Sequence, residues 1–157
     1  MIRFEPRPGH TPEGAALTRA ILSTFRLNGA LIQAGDELIR DLGVSSAQWQ
    51  VLGAIALSPI TVAQIARDLG RKRQGVQPTV DRLVKRGLVE LRENPNHRCA
   101  KLVALTKRGC SVLEKISARQ EEWVNELASD LSERSLRQMV SLGCSIQLKL
   151  EELGGSS

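Results

Sequence analysis

The stretch from residue 61 to residue 109 restricts the possible folds of this 157-residue chain more than any other part of the sequence. Thr61 and Gln64 have the T-x-x-Q spacing of a capping box, in which each side chain accepts a hydrogen bond from the other residue's free backbone N–H. A helix is therefore predicted to begin there and to end at Gly70, because glycine readily adopts the left-handed conformation of a helix C-terminus. The apolar face of this helix consists of Ile65, Ala66 and Leu69.

A second helical pattern follows after a short turn, and Gly87 is expected to end it. Lys85 and Arg86 lie just before that glycine, where positive charges interact favourably with the helix dipole. The side of this helix that is predicted to face the core consists of Val76, Val80, Leu83 and Val84.

The start of the second helix has two interpretations, because Pro78 cannot donate a backbone hydrogen bond. Either the helix begins near Arg73 with a distorted first turn, or Gln77 is its cap and Pro78 its first residue. We favour the start near Arg73. The choice decides which side chains of this helix reach a partner.

Two short segments then alternate between apolar and polar residues at a period of two, which is the pattern of β-strands. They are residues 88–92 and 101–105, and residues 94–98 between them have the composition of a turn. Two helices followed by a β-hairpin form a winged helix-turn-helix, in which the second helix enters the DNA major groove. The predicted fold is mainly α, with a small β-hairpin wing.

The charge distribution supports contact with a nucleic acid. Residues 67–108 contain twelve basic and four acidic residues, a net of +8, whereas the rest of the chain holds ten basic and thirteen acidic residues, a net of −3. A basic segment on a helix-turn-helix is most simply explained as a phosphate-binding surface; the alternative is a soluble surface that is merely rich in lysine and arginine. Only 3% of residues are aromatic, which argues against stacking of unpaired bases and favours duplex DNA.

The same segment resembles the core of MarR-type transcription regulators. In that family the second helix ends in V-x-R-L-x-x-x-G-L-V, and the wing is followed by L-T-x-x-G. The matching residues here are Val80, Arg82, Leu83, Gly87, Leu88, Val89, Leu105, Thr106 and Gly109. The resemblance covers about residues 14–153 and implies a sequence-specific regulator of transcription that binds double-stranded DNA. It further implies a homodimeric repressor that responds to a small-molecule effector.

The sequence around this segment predicts an arm, a DNA-binding domain and a dimerisation region. Residues 1–12 are expected to form a flexible arm, residues 45–105 the winged helix-turn-helix domain, and residues 13–44 with 106–153 a region of long helices. Such helices cannot all bury their apolar stripes against so small a domain, so a second copy is expected to cover them. Dimerisation through the first and the last two helices is what the resemblance implies. The two reading helices would then lie about one DNA turn apart, which suits a palindromic operator.

The candidate DNA contacts lie on the second helix and the wing. Arginine reads guanine and glutamine reads adenine in the major groove, so base readout is assigned to Arg73, Gln74 and Gln77. Contacts to phosphate or through the wing are assigned to Thr61, Lys72, Arg82, Arg86, His97 and Arg98. The resemblance places Arg98 in the minor groove or on phosphate. His97 stands where the family often has an aspartate that steadies this arginine.

The resemblance also implies an effector cleft, for which Leu22, Phe25 and Trp49 are the candidates. Trp49 has an alternative role as a core residue wedged between helices. Of the three cysteines, Cys99 lies in the wing, and Cys110 and Cys144 are expected to be small packing residues.

Several classes of protein find no support in the sequence. It has no nucleophile motif, no glycine-rich phosphate loop and no cluster with metal-ligand spacing, so we expect neither an enzyme nor a cofactor. It also has no apolar run of 18 residues and no signal-peptide pattern, which predicts a cytoplasmic protein that does not enter the membrane. The alternative function is a winged-helix module that binds another protein and has no DNA role.

Overall fold

The structure, a computed structural model, describes residues 5–95 and 99–154. Its elements in chain order are α1 (Pro12–Leu38), a 3-10 turn (Arg40–Leu42), α2 (Ser46–Ala54), β1 (Ile60–Thr61), α3 (Val62–Asp68), α4 (Arg73–Lys85), β2 (Val89–Arg92), β3 (Leu102–Leu105), α5 (Lys107–Ala128) and α6 (Glu133–Gly154). The chain divides into two compact units, the first reaching to Ser117 and the second beginning at Ala118. A mainly helical chain with one small sheet confirms the predicted fold class. None of the described helices is long and apolar enough to cross a membrane.

The helix boundaries follow the capping residues that the sequence indicated. Thr61 and Gln64 form a complete capping box, with the Gln64 backbone N–H donating to Thr61 Oγ1 (3.3 Å) and the Thr61 N–H to Gln64 Oε1 (2.9 Å). Ser45 caps α2 in the same way. Gly70 and Gly87, which were predicted to end helices, have a left-handed backbone at φ 61° and 67°, and so does Gly43 after the 3-10 turn, at φ 65°.

The sheet contains one more strand than the sequence predicted. The β2–β3 hairpin was expected, but β1 also pairs with β3, through Ile60 opposite Val103 and Thr61 opposite Leu102. The strand order is β1-β3-β2, and both pairs are antiparallel. A strand of two residues is too short to show any alternation, which is why the sequence pattern did not reveal it.

The predicted core face of α4 is correct except at its edges. Val76, Val80 and Leu83 are fully buried, whereas Val84 is 36% exposed and Thr79 is buried in its place. At 3.6 residues per turn, Val84 points about 80° away from Val76, at the margin of the buried face. The aliphatic core of the first unit also contains Ile39, Leu52, Ile65, Leu88, Val89, Val103 and Ile116.

Helix α1 approaches α2 closely because Gly35 has no side chain. A Cβ atom at this position would lie 2.8 Å from Ser46 Oγ and 3.4 Å from the Trp49 ring. The contact is reinforced by Ser46, whose Oγ donates to the Ile32 carbonyl (3.0 Å) and whose backbone N–H donates to Asp36 Oδ1 (2.5 Å). The second bond fixes the start of α2 on α1.

The junction between α4, β2 and α5 centres on the carbonyl oxygen of Leu88. The Thr106 backbone N–H donates to it (3.1 Å). The Thr106 hydroxyl lies 3.2 Å from it, donates to the neighbouring Gly87 carbonyl (2.7 Å), and caps α5 by accepting from the Gly109 N–H (3.0 Å). A Cβ atom at Gly109 would overlap the Leu88 oxygen. Thr106 therefore makes the hydrogen bonds at this junction, and the absence of a side chain at Gly109 allows the Leu88 carbonyl to lie close to α5.

The second unit consists of the end of α5 and the whole of α6. Ser132 caps α6 by accepting a hydrogen bond from the Ser135 N–H (3.1 Å). Along Glu133–Gly154, all of which the structure describes, no side chain is buried. Cys110 and Cys144 are both exposed in this single chain, so the expectation that they are packing residues is wrong.

Replacing Gly109 with alanine is expected to destabilise the first unit by about 1–3 kcal/mol, because the Leu88 carbonyl must move to admit a methyl group. The measurement is urea unfolding followed by circular dichroism at one fixed protein concentration. Gly53→Ala is the matched control, since a Cβ there meets open space and alanine should raise stability by about 0.5–1 kcal/mol. Equal effects at both positions would contradict the close approach at Gly109.

The Asp36–Ser46 contact predicts an acid-sensitive contribution to stability. The Ser46 backbone N–H, followed by the Ser46 side chain, lowers the pKa of Asp36 below its ordinary value of 3.8. The folded state thus prefers the carboxylate, and the resulting stability is present above the unfolded pKa and lost as pH falls through the folded pKa. Asp36→Asn should therefore have a lower free energy of unfolding than the original protein at pH 6. The difference between the two free energies should narrow below pH ~4. A difference in the free energy of unfolding that stays constant from pH 6 to pH 3 would refute the contribution of the Asp36 carboxylate.

Candidate nucleic-acid interface

Helix α4 begins at Arg73, so the interpretation that we favoured is correct and Gln77 is not its cap. Lys72 is the N-cap residue, and the Gly75 N–H donates to the Lys72 carbonyl (2.9 Å), which makes the first turn tight. Pro78 lies inside the helix. Because proline has no N–H, the Gln74 carbonyl has no backbone donor four residues further on. The first turns of α4 therefore lack one backbone hydrogen bond, as the sequence implied.

The three predicted base readers lie at this end of α4. Arg73 and Gln74 are exposed, and Gln77 is half-buried. Arg73 and Gln77 line a cleft of about 240 Å³, which is also lined by Thr61 at the start of α3 and by Cys99 and Lys101 at the base of the wing. The structure therefore brings together Arg73, Gln77 and Thr61.

The predicted phosphate contacts on α4 are in two different environments. Lys72 and Arg82 are exposed. Arg86 is half-buried, and its guanidinium donates to the carbonyl of Gly43 and to Gln48 Oε1 (3.4 Å). The guanidinium of Arg86 thus joins the end of α4 to the loop between α1 and α2. A contact between residues 43 positions apart leaves no local pattern, so the sequence did not reveal it.

Two further cations lie near this surface although no role was assigned to them from the sequence. Lys101 lines the cleft, and Arg71 precedes α4 and donates to Gln50 Oε1 (2.8 Å). The Arg71 bond holds the turn between α3 and α4 against α2. Both residues belong to the basic segment, but composition alone does not show which of its members face one another.

The tip of the wing includes two of the predicted contacts, His97 and Arg98, which lie outside the described residues. In the described part of the wing, Arg92 pairs with Glu90, with Nε and Nη2 each 2.8 Å from Oε1. Cys99 is exposed at the edge of the cleft.

The three predicted effector contacts are spread along the first unit. Trp49 is half-buried against Gly35, Leu22 is half-buried, and Phe25 is 69% exposed. The rise of α1 puts Phe25 about 15 Å along the helix from Gly35. Within one chain, Phe25 and Trp49 therefore do not face a common point.

The arrangement of α2, α3, α4 and the β2–β3 wing defines a winged helix-turn-helix protein. The sequence profile of the MarR family matches residues 42–98, which include all of α2, α3, α4 and β2. An uncharacterized protein of Mycobacterium tuberculosis is 38% identical over 121 residues, which cover 77% of this chain and 85% of that protein. The chain belongs to the MarR family of winged-helix transcription regulators.

Solved structures share this fold over most of their length. A MarR family transcription regulator superposes with a TM-score of 0.74 at 23% identity, covering 92% of this chain and 97% of its own. The structure of the M. tuberculosis regulator MosR in complex with DNA superposes with a TM-score of 0.71 at 24% identity, covering 82% of this chain and 96% of MosR. The structure of CouR from Rhodococcus jostii bound to p-coumaroyl-CoA superposes with a TM-score of 0.71 at 22% identity, covering 86% of this chain and 91% of CouR. At these identities, the similarity establishes the fold alone.

Proposed function

We propose that this protein is a sequence-specific transcription regulator that binds double-stranded DNA as a homodimer and represses transcription. The observation that carries the proposal is the polar surface at the start of α4, where Arg73 and Gln74 are exposed and Gln77 is half-buried, while the apolar face of the helix is buried in the core. Arginine and glutamine are the side chains that read guanine and adenine edges in the major groove. MosR, which has this fold, was solved with DNA.

Phosphate contacts are proposed for Thr61, Lys72 and Arg82 at the two ends of this surface. Arg98 in the wing is proposed to contact the minor groove or a phosphate, with His97 beside it. Arg86 belongs to the same set, although the guanidinium is engaged with Gly43 and Gln48. The net charge of +8 between residues 67 and 108 favours such contacts through the release of counterions from DNA.

The dimer is proposed because several apolar side chains are exposed to solvent in the single chain. On α6, Leu136, Met139 and Leu150 are 39%, 56% and 62% exposed and recur on one side of the helix. On α1, Leu17 and Ile21 are more than 40% exposed at a spacing of one helical turn. Exposed apolar stripes of this kind usually mark an interface, and a second copy of the chain is the partner proposed. The operator is then palindromic.

A small-molecule effector is proposed as the control of DNA binding. CouR, which has the same fold, was solved with p-coumaroyl-CoA. An effector acts by binding more tightly to a dimer whose reading helices are spaced wrongly for DNA than to one that fits. Leu22, Phe25 and Trp49 remain the candidate contacts.

The proposed DNA binding is tested by selecting genomic fragments with the purified protein at ~0.15 M salt and then measuring affinity against salt concentration. A palindrome with half-sites about one turn apart is expected. Lys72→Ala should weaken binding to all sequences and lower the salt slope by about one, since Lys72 is the exposed N-cap residue of α4. Lys149→Ala on α6 is the matched control and should change neither. No enrichment from a folded dimer would favour the protein-binding alternative.

The proposed dimer is tested by placing a charge on the apolar side of α6. Leu150→Glu should shift sedimentation from dimer to monomer and lower DNA affinity at least ~10-fold, because both half-sites must then be bound separately. Ser145→Glu, on the opposite side of the same helix, is the matched control and should remain dimeric. If Leu150→Glu leaves the dimer intact, this face of α6 is not the interface.

A further inference from the structure

Gln77 and Asp81 are joined on the exposed side of α4. They are four residues apart, which places their side chains on the same face of a helix. Gln77 Nε2 donates to Asp81 Oδ1 at 2.9 Å. Arg73 lies one turn before Gln77, so the three side chains form a continuous row along the helix.

The chemistry of this pair determines which way the glutamine amide faces. A carboxylate has only acceptors, so the group that Gln77 turns towards Asp81 must be its NH₂. One N–H is then occupied, and Oε1 with the second N–H is left for another partner. This acceptor and donor, side by side, are the pair that binds N6 and N7 of adenine in the major groove.

We propose that Asp81 is a positioning residue that fixes the Gln77 amide for reading adenine, and thereby sets the base preference at one position of each half-site. The inference rests on the proposed DNA-binding function. Asp81 itself touches no base in this arrangement. Without it, the amide of Gln77 rotates freely and can present its N–H groups to guanine or thymine oxygens as well.

The negative charge of Asp81 gives this arrangement a second, separable effect. Four of the residues between positions 67 and 108 are acidic, and Asp81 is the one that lies on the exposed face of α4 beside a proposed base reader. A carboxylate near DNA repels the phosphates whatever the base sequence. Asp81 therefore lowers affinity for every site while it raises discrimination at one base pair, which is a means of specificity through rejection of wrong partners.

The test uses the full-length protein and the site recovered by fragment selection. The position read by Gln77 is identified as the base pair at which Gln77→Ala has no base preference. DNA affinity is then measured on the recovered site and on three versions of it that carry the other base pairs at that position. The variants are Asp81→Ala, Asp81→Asn, Gln77→Ala and the Gln77→Ala/Asp81→Ala double variant. Urea unfolding of each variant is the control for an unchanged fold.

In the original protein, adenine should be preferred by roughly 5- to 150-fold at this position. Asp81→Ala should reduce that preference at least ~3-fold while raising affinity for all four sites. Asp81→Asn also removes the charge but keeps an oxygen that can accept from Gln77, so it should raise affinity equally and retain more of the preference. In the Gln77→Ala background, loss of Asp81 should raise affinity and leave base preference unchanged.

Two results would overturn the proposal, and they are distinguishable. If a site is recovered but Asp81→Ala and Asp81→Asn raise affinity equally with base preference intact, Asp81 acts through charge alone and the positioning role is wrong. If no site is recovered by the original protein, the proposed DNA-binding function fails, and the positioning role fails with it.

Discussion

Burial of one face of α4 decides what the opposite face can do. Val76, Val80 and Leu83 are fully buried, and this fixes the rotation of the helix about its axis. Arg73 and Gln77 must then stand on the outer part of the helix, beside the start of α3 and the base of the wing. A helix anchored by aliphatic side chains presents its polar row without a change of shape, which reduces the entropy lost on binding.

The ends of α4 are held by polar contacts that join it to the rest of the first unit. At its start, the turn that follows α3 is tied to α2 through Arg71 and Gln50. At its end, Arg86 reaches Gly43 and Gln48, and Arg108 donates to the Arg86 carbonyl (3.2 Å). These contacts fix where the helix lies, whereas the buried face fixes how it is turned.

Local sequence signals predicted the elements of the fold, and contacts between distant residues account for what they missed. Capping boxes at Ser45 and Thr61 and the three left-handed glycines depend on neighbours within four positions, so the sequence contains them whole. The two-residue strand β1 exists only because β3 pairs with it, and the Arg86 contact exists only because Gly43 lies nearby in space. The candidate site follows the same rule. Which residues of α4 face outward is periodic and was predicted, whereas Lys101 reaches the cleft beside Arg73 and Gln77 only through the tertiary fold and was not predicted.

The contact between Gly109 and the Leu88 carbonyl has a consequence for how this gene can vary. Every amino acid other than glycine carries a Cβ atom, and that atom would overlap the Leu88 oxygen. Each missense change at position 109 therefore places a carbon atom at the same point and carries the stability cost of moving the Leu88 carbonyl, whereas synonymous changes of the codon carry none. The codon for Gly53, which faces open space, has no such restriction.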